Sequence, residues 1–291
     1  MRRPHLSAVQ AAERVFIIVK VRTDGGLVGL GEATVLKEWG GPHMTYYGES
    51  YKTVALVVQS YLAPAVEGED PLHIEAIHQK MDRAIKGYPY AKAAIDIACY
   101  DLMGKALNVP AHVLLGGRVR DRIPITHSIG IMPPEKAAAE AAEAAAEGIR
   151  TFKLKVGLDP GRDIETAKQV RKAVGPDIHI TVDGNQGYPG PREAIRYLKR
   201  MMECDILFAE QPVEGFEAMA EVARALDLSL MHDEGAWTPQ DVLRIIQYHA
   251  GDIVSLYTTK PGGLWPARKM AAVAEAGGIA ANVNGSGETG V

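Results

Sequence analysis

The feature that most constrains this chain is a rhythm. After Gly116-Gly117, short apolar runs alternate with helical patterns through to the last residues. The strand candidates cover residues 123–128, 151–156, 178–182, 206–209, 229–232, 253–257 and 278–283. Helical patterns lie between them at 134–147, 162–174, 191–202, 217–226, 239–249 and 264–276. Seven strands separated by six helices imply repeated βα units and therefore a parallel sheet. No GxGxxG follows the first strand, so a dinucleotide-binding fold has no support. A series this long and regular favours an α/β barrel over an open sheet.

Residues 1–117 read differently. An alternating strand over 16–22 and a second over 27–32 flank Asp24-Gly25-Gly26, a hairpin signal. Helical patterns follow at 50–62, 72–84 and 91–107, the last running into Asn108-Val109-Pro110, a helix stop. Strands followed by helices indicate an α+β unit over 1–117, ahead of the barrel over 118–291.

Composition excludes some functions. The 291 residues carry a net charge of −4, which argues against a dedicated nucleic-acid binder or a membrane-surface protein. No apolar run approaches the roughly 18 residues of a membrane span. The basic start Met1-Arg2-Arg3 is not followed by a signal-type apolar segment. Cys99 and Cys204 lie in helical contexts without CxxC spacing, so two buried thiols in a cytoplasmic protein are expected, with no disulfide or zinc site.

Barrel enzymes carry their chemistry where strands end. There the sequence places Lys153 and Lys155, then Asp183 and Asn185, Glu210, Asp233 and Glu234, Lys260, and Glu288. From Lys155 onward the leading residues recur every 23 to 28 positions. Scattered surface charges do not keep such a phase. Asp183, Glu210 and Asp233 come from consecutive strands. Three converging acids repel one another unless a cation neutralises them, and all-oxygen ligands suit a hard ion such as Mg²⁺. Lys153 and Lys155, two apart on a strand, face the same way. Crowding of like charge is expected to lower a lysine pKa toward the range of a general base. Lys260 follows the acids on the other side of the mouth, so a bound substrate would sit between two proton-transferring lysines.

These stretches together resemble the enolase superfamily, in its muconate-lactonizing branch. They are Lys153-Leu154-Lys155, Asp183-Gly184-Asn185-Gln186, Glu210-Gln211-Pro212, Asp233-Glu234 and Lys260-Pro261-Gly262-Gly263. Gly29-Leu30-Gly31-Glu32-Ala33 looks like the end of the family's capping hairpin. The run AKAAIDIACYDLMGKALNVPAHVLLGG, over 91–117, looks like the helix and link into the barrel. The resemblance implies a modified TIM barrel of (β/α)7β type under an N-terminal capping domain. It implies that Asp183, Glu210 and Asp233 bind Mg²⁺, or alternatively Mn²⁺, which holds a substrate carboxylate and stabilises its enediolate. Lys155 and Lys260 would be acid and base on opposite faces. Lys153 would assist, by lowering the pKa of Lys155 or by contacting the carboxylate. Asn185, Glu234 and Glu288 would line the site. In this family capping loops choose the substrate, which makes His43, Tyr46 and Tyr47 candidates, with Arg3-Pro4-His5 nearby. The mandelate-racemase branch uses a His–Asp pair from strands seven and six, where this chain has Asn282, Asn284 and Lys260 instead.

The reaction implied is isomerisation of a small carboxylate through loss or gain of its α-proton, as in cycloisomerases, racemases and epimerases. A dehydratase of the same superfamily is the alternative. A Schiff-base aldolase, with Lys155 as the imine lysine and Asn284-Gly285-Ser286-Gly287 on a phosphate, leaves the three acids without a role. A homo-oligomer is expected. The strand count stops at seven, shortly before Val291. Family chains add a last strand and a returning C-terminal segment, and begin with an earlier strand. A chain trimmed at both ends is expected to expose a parallel edge and to be poorly soluble or inactive alone.

Overall fold

A computed structural model describes residues 15–35 and 48–285 of the chain. It opens on an antiparallel hairpin, β1 (Phe16–Arg22) and β2 (Val28–Thr34), paired from Phe16 with Thr34 to Arg22 with Val28. The turn closes locally: Asp24 Oδ1 accepts the amide of Gly25 at 2.8 Å, and Thr23 Oγ1 that of Leu27 at 3.0 Å. The helices that follow are α1 (Tyr51–Val57), a π-helical stretch (Val58–Leu62), α2 (Ala63–Val66), α3 (Ile74–Ala84), α4 (Pro89–Leu107) and α5 (Ala111–Leu114).

The single helix expected over 50–62 is thus one α-helix that widens. Ser50 and Thr53 form its capping box. Pro64 then sits in the next turn, where it has no N–H to give and crowds the preceding backbone. Beside it the ladder loosens to π geometry, with Ala63 N–H reaching back to Val58 O.

Helix α4 is buried nearly all round, as a helix between two layers must be. One side packs on β2, and Gly29 and Gly31 make that possible. A Cβ at Gly29 would meet Ala98 O at 2.2 Å, and one at Gly31 would meet Ala94 O at 1.8 Å. The Gly-Leu-Gly run therefore exists to let helix and strand touch. Asn108, left-handed at φ 54°, ends the helix, and Pro110 follows.

The remaining elements alternate: β3 (His127–Ile129), α6 (Pro134–Ala146), β4 (Thr151–Lys155), α7 (Pro160–Val174), β5 (His179–Asp183), α8 (Pro191–Met202), β6 (Ile206–Glu210), α9 (Phe216–Ala225), β7 (Ser229–His232), α10 (Pro239–Tyr248), β8 (Ile253–Leu256), α11 (Leu264–Ala276) and β9 (Ala280–Val283). The seven strands pair in chain order, all parallel, in one curled sheet. The expected βα series and parallel barrel-type sheet are borne out. Among the described residues the end strands β3 and β9 do not pair with each other. Val283 on β9 is 78% exposed.

The first strand begins later than expected. Pro124 cannot donate to a ladder, and Ile123 and Ile125 are exposed rather than paired; pairing starts at His127. The main core lies between sheet and helices, with Phe152, Leu154, Ile180, Val182, Leu198 and Leu230 fully buried. A second core joins the N-terminal helices to the sheet through Tyr90, Ile95, Trp237 and Tyr257. Cys99 and Cys204 are buried free thiols; burial pushes Cys99 up to about 12. Among the described residues no helix is long and apolar enough to cross a membrane.

Candidate active site

Sheet register sets the site. Lys155 is the strand neighbour of Asp183, and Asp183 of Glu210, so three ionisable residues stand in a row across β4, β5 and β6. Asp233 follows directly on β7, and Lys260 lies in the loop after β8. All belong to the C-terminal edge of a parallel sheet, where βα loops leave room for a ligand.

The charges interlock. Lys155 Nζ donates to Asp183 Oδ2 and, at 3.0 Å, to Asn185 Oδ1. Lys153 Nζ lies 3.1 Å from Glu210 Oε2 and 3.2 Å from Asp183 Oδ2. Lys260 Nζ donates to Asp233 Oδ1 at 2.6 Å and to Asp233 O at 2.7 Å, and stands 4.7 Å from the centre of the Tyr257 ring. Asn185 Nδ2 donates to Glu234 Oε1 at 2.8 Å. Asp183, Glu210, Asp233, Glu234, Lys155 and Lys260 are all buried. The structure therefore brings together Lys153, Lys155, Lys260, Asp183, Glu210, Asp233, Asn185 and Glu234. His43, Tyr46, Tyr47 and Glu288 lie outside the described residues, as do Arg3-Pro4-His5.

Burial disfavours charge on a carboxylate, and neighbouring carboxylates add to it. Glu210 is pushed up to about 7 by burial first and Asp183 next, against the pull of Lys153. Glu234 is raised well above the usual range by burial, then by Asp233 and Asp183. Lys153 shifts upward as well. Burial alone would lower its pKa, but Glu210, Asp183 and Asp233 outweigh burial and raise it. The three acids thus favour its charged form.

Among the described residues no three His, Cys, Asp or Glu side chains close into a ready-made metal cage. The acids are held by ammonium groups, and admitting a cation requires them to exchange such a partner for the ion. The donor set nevertheless fits a hard divalent cation: three carboxylates on adjacent strands, all oxygen. Glu210 Oε1 and Glu234 Oε2 are buried without a hydrogen-bond partner, a costly state that an ion relieves.

Gln211 carries a role that its motif did not disclose. Its Oε1 accepts the amides of Asp233 at 3.0 Å and Gly235 at 3.1 Å, while its Nε2 donates to Val213 O at 2.9 Å. Its own carbonyl takes the amide of Gln186 at 2.7 Å. Gln211, Asn185 and Gln186 all hold positive φ, at 33°, 40° and 60°. Such backbone persists only where surroundings over-determine it, and it clusters at functional sites. Further out, Trp237 donates Nε1–H to Glu234 O at 2.9 Å and stacks on Tyr90 at 6.2 Å. The amides of Tyr90 and Ala91, at the start of α4, reach the buried carboxylate of Glu49 at 2.7 and 3.2 Å.

Comparison with known proteins identifies relatives of the whole chain. Residues 1–116 match the mandelate racemase / muconate lactonizing enzyme N-terminal domain, and 136–291 match the enolase C-terminal domain-like family. An N-succinyl-L-Arg/Lys racemase from Bacillus cereus is 41% identical over 277 residues, which are 94% of this chain and 73% of the relative. Muconate cycloisomerase 1 from Rhodococcus opacus is 35% identical, covering 96% of this chain and 74% of the relative. The crystal structure of the Bacillus cereus racemase superposes with a TM-score of 0.90 at 40% identity, covering 94% of this chain and 73% of that one. A dipeptide epimerase from Enterococcus faecalis, complexed with Mg and the dipeptide L-Leu-L-Tyr, gives 0.85 at 33% identity, over 92% and 73% of the two chains. With its strand-end acids and lysines, its curled parallel sheet and these matches, the chain belongs to the mandelate racemase / muconate lactonizing enzyme family of the enolase superfamily and is an isomerase.

Proposed function

We propose that this isomerase is a Mg²⁺-dependent racemase or epimerase of N-acylated amino acids, moving the proton on the carbon next to a carboxylate. The observation that carries the reading is the pair of buried lysines at opposite flanks of the acid row, Lys155 at β4 and Lys260 after β8. One lysine suffices to remove or return a proton on one face; inversion needs a donor on each. The identity to an N-succinyl-L-Arg/Lys racemase and the likeness to a dipeptide epimerase support the substrate class.

In this reading Asp183, Glu210 and Asp233 hold the cation, with Mn²⁺ as its substitute. Bound there, the ion would supply Lewis-acid stabilisation to a substrate carboxylate whose α-proton is removed. Lys155 takes or returns the proton at its Nζ on one face, oriented by Asn185, and Lys260 does so on the other, oriented by Asp233. Lys153 stays cationic and faces the substrate carboxylate. Residues 1–117 serve as the capping domain, and His43, Tyr46, Tyr47 and Glu288 are assigned to substrate contact.

The test is polarimetry of the full chain with N-succinyl-L-lysine, N-succinyl-L-arginine and L-Ala-L-Glu, with cis,cis-muconate as the competing substrate. Racemisation or epimerisation that EDTA abolishes and Mg²⁺ restores is the expected result. Turnover of muconate alone would replace this reading with a cycloisomerase.

A further inference from the structure

We infer that Asp96, in the N-terminal helix α4, is a positioning residue for Lys260; this rests on the reading of Lys260 as one of two proton-transferring lysines. Helix α11 begins at Leu264, and its N-cap, Gly263, has no side chain to bond the first-turn amides. Those orphan amides need acceptors. Asp96 supplies them from 168 positions earlier in the chain: Oδ1 accepts Leu264 N at 2.6 Å, and Oδ2 accepts Trp265 N at 3.2 Å. The carboxylate is fully buried and lies at the positive end of the helix dipole. His78 Nε2, from α3, lies 2.7 Å from Oδ2 and fixes the other side of the group.

The segment between Lys260 and this cap is short and stiff. Pro261 follows the lysine, Gly262 N bonds Thr259 O at 3.2 Å, and Gly262 and Gly263 take φ of +100° and +134°. Gly263 sits against Asp96 so closely that a Cβ there would fall 2.2 Å from Asp96 Cγ. Beyond the cap, Trp265 Nε1 and Lys269 both meet Glu75, on the same helix as His78. Lys260 is thus held from two directions. Asp233 and Tyr257 fix its ammonium, and Asp96 fixes the backbone that carries it. Displacement by an ångström is enough to cost a positioned group its reactivity. Asp101, further along α4, instead accepts Leu30 N of β2 at 2.8 Å, so one helix pins both the hairpin and the Lys260 loop.

The experiment compares Asp96→Ala, the milder Asp96→Asn, and Asp101→Ala, which removes the tie to β2 at Leu30 together with the ion pair to Lys105. Full-length protein with Mg²⁺ is read in two ways. Amide hydrogen exchange by mass spectrometry is followed over residues 257–266 and over 150–156. Deuterium wash-in from D₂O is followed separately for N-succinyl-L-lysine and N-succinyl-D-lysine, and the enantiomer whose exchange Lys260→Ala abolishes defines the Lys260 face. In Asp96→Ala, amide exchange over 257–266 quickens at least about tenfold while 150–156 is unchanged, as expected of a local opening. Wash-in on the Lys260 face falls about 100-fold and that on the Lys155 face less than about threefold. Asp96→Asn, which keeps one acceptor, falls between, and Asp101→Ala affects both faces alike. Equal losses on both faces, or unchanged exchange over 257–266, overturn the inference. If the unaltered protein exchanges neither enantiomer, the proposed function fails by itself. Amide exchange then decides alone: selective quickening upholds the tie between Asp96 and the loop, and its absence overturns it.

Discussion

Gln211 and Asp233 are joined across two strands by a side-chain cap: the Gln211 carbonyl oxygen accepts the Asp233 amide at 3.0 Å and that of Gly235 at 3.1 Å. Asp233 is therefore placed by a residue that bears no charge. Gln211→Leu would leave two loop amides without an acceptor, at about 1–3 kcal/mol each where buried, and would weaken cation binding about 10- to 100-fold. Gln211→Glu keeps an acceptor and is expected to lose less. Calorimetric titration with Mn²⁺ alongside thermal unfolding checks both; unchanged affinity in Gln211→Leu would remove Gln211 from the site's support.

Lys153 and Glu210 form a pair in which breaking one side strands the other. Lys153→Met is expected to destabilise the fold by roughly 3–5 kcal/mol, because Glu210 stays buried. Adding Glu210→Gln removes the stranded charge, so the double variant should cost clearly less than the two single changes summed. Urea denaturation of all four proteins gives the coupling, and strict additivity would show that the pair is not an energetic unit.

Glu49 makes stability fall with pH. Burial raises its carboxyl from about 4.5 to about 7, despite the Tyr90 and Ala91 amides. The unfolded chain then releases this proton at lower pH than the folded one. Stability from this group is complete below pH about 4.5 and is lost as pH climbs to about 7, by up to ~3 kcal/mol. The fall between pH 5 and pH 7.5 should be smaller in Glu49→Gln, which has no proton to lose there. Denaturant midpoints at several pH values decide it; parallel curves for the two proteins would place the titration elsewhere.

The acid row should answer to metal before it answers to anything else. Asp183→Asn combined with Glu210→Gln is expected to weaken Mn²⁺ binding beyond detection by calorimetry and to abolish turnover, with far-ultraviolet circular dichroism unchanged. Retained binding would move the cation away from β5 and β6.

Much of this was legible in sequence because it is local or periodic. Strand-end residues recur at a fixed phase, so Lys155, Asp183, Glu210, Asp233 and Lys260 could be read as one face before any coordinates. The Asp24-Gly25-Gly26 turn announced a hairpin, and Pro110 a helix end. What escaped is nonlocal or marginal. Strand β3 has three residues, too few to show a period beside exposed Ile123 and Ile125. The π-helical stretch answers to crowding at Pro64, not to hydrophobic pattern. Gln211 and Asp96 act through hydrogen bonds to amides 22 and 168 positions away, and no spacing rule encodes such partners.

The central claim, two lysines on opposite faces of one substrate carbon, is tested most directly by following deuterium wash-in at the α-carbon of each N-succinyl-lysine enantiomer in Lys155→Ala and Lys260→Ala with Mg²⁺. The account expects each variant to abolish exchange of one enantiomer while the other continues. Loss of both enantiomers' exchange in one variant, with none in the other, would contradict it.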